Sequence, residues 1–111
     1  MSITTHVLDT SMGKPAAGVH VRLSFYENGA WRELARGATD LDGRCKTLLP
    51  PGPLPSGLYR LTFETGAYFE RRKSETFYPR VSIHFDVKEA DGHCHVPLLL
   101  SPWGYSTYRG S

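Results

Sequence analysis

Residues 81–87, Val81-Ser82-Ile83-His84-Phe85-Asp86-Val87, alternate apolar and polar side chains without a break. Successive side chains of an extended backbone point to opposite faces, so a period of two marks a strand with one dry and one wet face. The same pattern recurs in Val19-His20-Val21-Arg22-Leu23-Ser24-Phe25 and in Tyr59-Arg60-Leu61-Thr62-Phe63-Glu64.

Turn chemistry separates these runs. Asn28-Gly29, between the Val19 strand and a strand over residues 31–36, is a hairpin signal because both residue types tolerate positive φ. Asp42-Gly43 marks a second tight turn. Pro50-Pro51-Gly52-Pro53-Leu54-Pro55 has lost most of its N–H donors and reads as a surface loop. One segment has helical spacing, residues 65–73, with Thr65 as its candidate cap and Tyr68, Phe69 and Arg72 three to four apart. Strands return over residues 94–100 and, after a break at Ser101-Pro102, over 103–109. Seven or eight short strands and one small helix predict an all-β antiparallel sandwich.

The chain of 111 residues has room for one domain, expected to span residues 1–111. Its composition, 40% hydrophobic and 22% charged, is that of a packed domain rather than a disordered chain. A net charge of +2, with no basic block longer than Arg71-Arg72-Lys73, gives little support to a nucleic-acid partner. The opening MSITTHVLDT has neither a basic start nor a long apolar run, which argues against a signal peptide and a membrane span. A cytoplasmic location is therefore expected, and Cys45 and Cys94 are expected to be free buried thiols.

The chemistry on offer is imidazole, guanidinium and hydroxyl. His20 and His84 sit on the polar faces of cleanly alternating strands and read as solvated. His6 has Ile3, Val7 and Leu8 around it, so it is either a hydrogen-bonded core group or a site residue. His93 and His95 flank Cys94 and share a face, but two imidazoles make no closed metal site, even with His6 as a possible third. His93 reads as an exposed residue at the Asp91-Gly92 turn, whereas His95 leads into the apolar VPLLL run and reads as buried or at an interface. Arg44 follows the TDLDG turn, whose Asp40 and Asp42 lack the further ligands of a calcium loop. No phosphate loop, G-x-S-x-G elbow or paired-carboxylate motif is present. Imidazole and guanidinium together suit water activation and stabilisation of an oxyanion.

HVLDT at residues 6–10, TDLDGR at 39–44 and above all HVPLLLSPWGYSTYRGS at 95–111 resemble the transthyretin-related 5-hydroxyisourate hydrolases. The Tyr-Arg-Gly-Ser ending is the most specific of these matches. The resemblance implies a prealbumin-like sandwich of two sheets, about eight strands and one short helix. It also implies a homotetramer, a dimer of dimers with active sites in a channel between subunits. The implied reaction is hydrolytic opening of the cyclic amide of 5-hydroxyisourate to 2-oxo-4-hydroxy-4-carboxy-5-ureidoimidazoline, with no metal and no cofactor. His6, Arg44 and His95 fall on the family's catalytic positions, and Tyr108, Arg109, Gly110 and Ser111 on its substrate-binding ones. The alternative within the resemblance is a transthyretin-type protein that binds a small ligand without chemistry.

Overall fold

In the computed structural model, residues 2–46, 48, 54–88 and 92–111 are described. Residues 50–53 of the proline-rich loop, and Asp91 of the Asp91-Gly92 turn, lie outside them.

Eight strands and one helix follow in the order β1 (Ser2–Asp9), β2 (Lys14–Pro15), β3 (His20–Glu27), β4 (Ala30–Ala38), β5 (Gly57–Phe63), α1 (Thr65–Arg71), β6 (Val81–Val87), β7 (His93–Ser101) and β8 (Gly104–Thr107). They form two four-stranded sheets, ordered β2-β1-β7-β8 and β4-β3-β5-β6. The faces that meet are those that the alternation selects: Ile3 and Val7 of β1 and Val96, Leu98 and Leu100 of β7 pack on Val21, Leu23, Leu61, Phe63 and Val81 of the other sheet. Burying each such side chain contributes about 1.5–3 kcal/mol, which fixes which face of every strand is left for function.

The hairpin between β3 and β4 turns on Asn28 and Gly29, with φ of 52° and 80°, the left-handed pair that matches strand twist. The expected all-antiparallel pairing holds except in one place. β1 and β7 run parallel over their full length, with Thr4 opposite His95 and His6 opposite Pro97. These strands are some ninety residues apart, so no local turn sets their relative direction, and only the tertiary path of the chain does so.

The helix lies where it is expected, but Thr65 is its first residue and not its cap. Glu64 holds the cap position without a side-chain hydrogen bond, and the Thr65 hydroxyl instead donates to the Tyr78 carbonyl at 2.7 Å. Tyr68 and Phe69 are buried. Asp9, 0% exposed at the end of β1, accepts from the Tyr68 hydroxyl at 2.7 Å, from Arg72, and from the backbone N–H and hydroxyl of Ser11. Burial opposes its charge, but these donors hold the carboxyl below its usual value, while burial and the Asp9 contact push Tyr68 to about 12. This buried polar cluster anchors α1 to β1 and leaves the outer face of β1 free.

Candidate active site

With Ile3, Thr5, Val7 and Asp9 turned inward, Ser2, Thr4, His6 and Leu8 occupy the outer face of β1. His6 is therefore not a core histidine. The same alternation turns Cys94 and Val96 inward on β7 and leaves His93 exposed and His95 half-buried. The parallel register then sets Thr4 beside His95 and carries His6 two residues further along the same face. Neither Cys45 nor Cys94 is in a disulfide, and both are buried.

Two non-strand segments complete the face. The turn over residues 40–44 folds back along β1, so that Arg44 bridges His6 across the backbone and the Val7 N–H donates to the Gly43 carbonyl at 2.8 Å. Asp40 builds this turn by accepting the backbone N–H groups of Asp42 and Arg44 at 2.9 and 3.0 Å, which lower its carboxyl from the ordinary value. On the far side, the tail beyond β8 returns to β7, where the Gly110 N–H donates to the His95 carbonyl at 2.8 Å. Arg44, His6, His95 and Gly110 thus stand on four neighbouring lengths of backbone.

Each imidazole is held in its own way. Nε2 of His6 lies 2.8 Å from the Asp42 carbonyl oxygen; a carbonyl only accepts, so Nε2 carries the proton and the lone pair of neutral His6 is on Nδ1. Nδ1 of His95 meets the Thr4 hydroxyl at 2.8 Å. A hydroxyl donates or accepts, so His95 can hold its proton on either nitrogen. Burial, then the nearby Arg44, His93 and His6, hold His95 below the ordinary histidine value of 6.5, so it is a neutral base near pH 7.

Glycines flank both rings. A Cβ on Gly110 would lie 2.4 Å from Cδ2 of His95, and one on Gly43, where φ is +77°, would lie 2.3 Å from the Val7 carbonyl oxygen and 3.3 Å from Cδ2 of His6. Only glycine lets these backbones lie so close to the rings.

The face opens into a hollow of about 590 Å³ that His6, Arg44, His95, Tyr108, Gly110 and Ser111 all line. Arg109 points elsewhere: it lines a smaller hollow of about 240 Å³, which His95 and Tyr108 share. Thr4, Lys46 and His93 also line the larger hollow, and the sequence reading did not single out Thr4 or Lys46. The signal for Thr4 was present in the alternation, since it shares a strand face with His6. His20 and His84 are exposed and do not line this hollow, although His84 lines the smaller one. Among the described residues, no group of three or more His, Cys, Asp or Glu side chains is placed to hold a metal ion.

The HIUase/Transthyretin family model matches residues 3–110. The chain belongs to that family. It is 50% identical over 111 residues to the 5-hydroxyisourate hydrolase of Mus musculus, the match covering 98% of this chain and 94% of that protein. Among solved structures, Klebsiella pneumoniae 5-hydroxyisourate hydrolase superposes with a TM-score of 0.87 at 43% identity, covering all of both chains. Sea bream transthyretin in complex with thyroxine superposes with a TM-score of 0.92 at 31% identity, covering 99% of this chain and 95% of that one. Within the HIUase/transthyretin family one backbone therefore serves hydrolases and a protein that takes up thyroxine, so the fold alone does not select between the two roles.

Proposed function

We propose that the chain is a metal-independent cyclic amidase that opens 5-hydroxyisourate with water, as a single domain over residues 1–111. The observation that carries this reading is the convergence of two neutral-capable imidazoles and a guanidinium, His6, His95 and Arg44, on one open hollow. A binding protein for a hydrophobic ligand has no need of that set.

Water entering the hollow is deprotonated by one imidazole as its oxygen adds to the lactam carbonyl. Arg44 stabilises the charge that develops on the carbonyl oxygen, its planar fork suiting that geometry better than a point charge. The C–N bond then breaks, the ring nitrogen takes a proton from an imidazole, and the carboxylic acid left behind, which keeps the second proton of the water, ionises to a carboxylate by releasing it to solvent. His6, pinned with its proton on Nε2, has Nδ1 free to accept from the water; His95 has both tautomers open to it. Tyr108, Gly110 and Ser111 supply hydrogen bonds and shape around the substrate ring, and Arg109 acts from the adjoining hollow.

The hollow is open on one side, and β6 and β8 are edge strands. Phe77 and Trp103 are 70% and 66% exposed. These features support a homotetramer, a dimer of dimers built by edge pairing, with the sites in a channel between subunits. Among the described residues no helix is long and apolar enough to cross a membrane. A cytoplasmic location fits two buried cysteines that form no disulfide.

The test is direct. Urate oxidase generates 5-hydroxyisourate from urate, the protein is added, and the ultraviolet decay of the intermediate is followed. A marked acceleration is expected; decay at the spontaneous rate refutes the reading.

A further inference from the structure

Beside His95 lies a row of polar groups that the reaction as written leaves unused. Nδ1 of His95 is 2.8 Å from the Thr4 hydroxyl. The same hydroxyl is 3.3 Å from Nε2 of His93, and Nδ1 of His93 is 2.6 Å from the Ser2 hydroxyl. The two imidazoles are nearly parallel, 11° apart with centroids separated by 6.4 Å, and Thr4 lies between them. The parallel register of β1 and β7 produces the row, since it pairs Ser2 with His93 and Thr4 with His95.

Such a row has two self-consistent directions, because a neutral imidazole has one donor and one acceptor. In one direction His95 donates from Nδ1 to Thr4, Thr4 donates to Nε2 of His93, and His93 donates from Nδ1 to Ser2. Nε2 of His95 then offers a lone pair. In the other direction every donor is reversed, and Nε2 of His95 carries a proton. The first form is a base toward the pocket and the second is an acid.

We propose that Thr4 and His93 are positioning residues that form a reversible proton path to His95, turning it from base to acid within one turnover. This rests on the hydrolytic reading above. As Nε2 of His95 gains the proton of the attacking water, its Nδ1 proton passes to the Thr4 oxygen and the Thr4 proton passes to Nε2 of His93. His95 is left neutral with its proton on Nε2, and the positive charge resides on exposed His93. When Nε2 of His95 protonates the departing ring nitrogen, the path runs backward and the row is restored. Only N–H and O–H bonds are exchanged, and one proton has moved from water to the leaving group.

The surroundings explain why charge should pass from half-buried His95 to exposed His93, although both line the larger hollow. Toward the larger hollow His95 is faced by His6 of β1, by Arg44 and Lys46, by Tyr108, and by His93 on its own strand. Toward the smaller one it is faced by His84 and Asp86 of β6 and by Arg109. An imidazolium at half-buried His95 beside Arg44 adds a second cation to a site built for a developing anion, whereas exposed His93 is solvated.

The test compares Thr4→Val, which keeps the shape and removes the hydroxyl, with Thr4→Ser, which keeps the hydroxyl. Thr4→Val is expected to lower kcat by ~10-fold or more with KM within about 2-fold, and Thr4→Ser to restore most of the loss. Because the groups act as a unit, Thr4→Val combined with His93→Gln should cost little more than Thr4→Val alone. Equal rates for parent and Thr4→Val, or a Thr4→Ser as impaired as Thr4→Val, overturn the proposal. A second readout needs no turnover: imidazole ¹⁵N resonances should show both tautomers of His95 in the parent, and His93→Gln should shift the His95 titration. A single fixed His95 tautomer that is indifferent to position 93 overturns the path even in an active enzyme. A parent that shows the coupled tautomers without hydrolysing 5-hydroxyisourate refutes the function and leaves the path standing.

Discussion

The two flanks of the hollow use similar parts to different ends. On the β1 flank, a tight turn lays its backbone against His6 and fixes the ring by a carbonyl at Nε2. On the β7 flank, the returning tail lays Gly110 against His95, and a hydroxyl meets Nδ1. A carbonyl accepts only, so the first flank allows one neutral tautomer; a hydroxyl works both ways, so the second allows two. The difference between them is one of freedom: one imidazole is locked and the other is able to change roles.

Removing either ring is the strongest way to break this pairing. His6→Ala and His95→Ala should each slow hydrolysis of 5-hydroxyisourate by ~10²–10⁴, measured as the decay of its ultraviolet band. Near-parent rates in both variants would show that the flanks are not the catalytic pair. Next come the glycines, which should separate the flanks. Gly110→Ala places a methyl against the His95 ring, so kcat should fall by about 10² through misplacement while thermal stability changes little. Gly43→Ala must adopt a left-handed φ and meets the Val7 carbonyl, so about 2 kcal/mol of stability should be lost, read as a lowered Tm. If both variants lost only stability, the rings would not depend on their glycine contacts.

The smallest effect concerns pH. Burial, with Arg44, His93 and His6 nearby, lowers the His95 pKa in the folded state. Its base form therefore persists below the ordinary value, and the acidic limb of kcat/KM should fall below pH 6.5. Through that window the unfolded chain binds more protons than the folded one, so this group's contribution to stability is present at higher pH and is lost as pH falls. Arg44→Gln should move the acidic limb upward; a limb that does not move would mean that Arg44 leaves His95 untouched.

Much of this molecule is local and so was legible in the sequence. The period-two runs placed β3, β5 and β6 and chose their inner faces, because alternation and burial share one geometry. Asn28-Gly29 placed the hairpin for the same reason. The resemblance carried by residues 6–10, 39–44 and 95–111 named His6, Arg44 and His95, and the structure gathers all three on one hollow. Thr65 as a cap failed because its hydroxyl found a tertiary partner in the Tyr78 carbonyl. Arg109 belongs to the terminal motif but lines the adjoining hollow, a placement set by how the tail returns to β7.

By itself the sequence determined the strands, their dry faces, the tight turns and the kinds of chemical group available, all set by interactions within a few residues. The tertiary structure alone decided that β1 and β7 run parallel, and with that which hydroxyl meets which imidazole. Strand direction across some ninety residues depends on how the two sheets close over their core, and no local propensity records it.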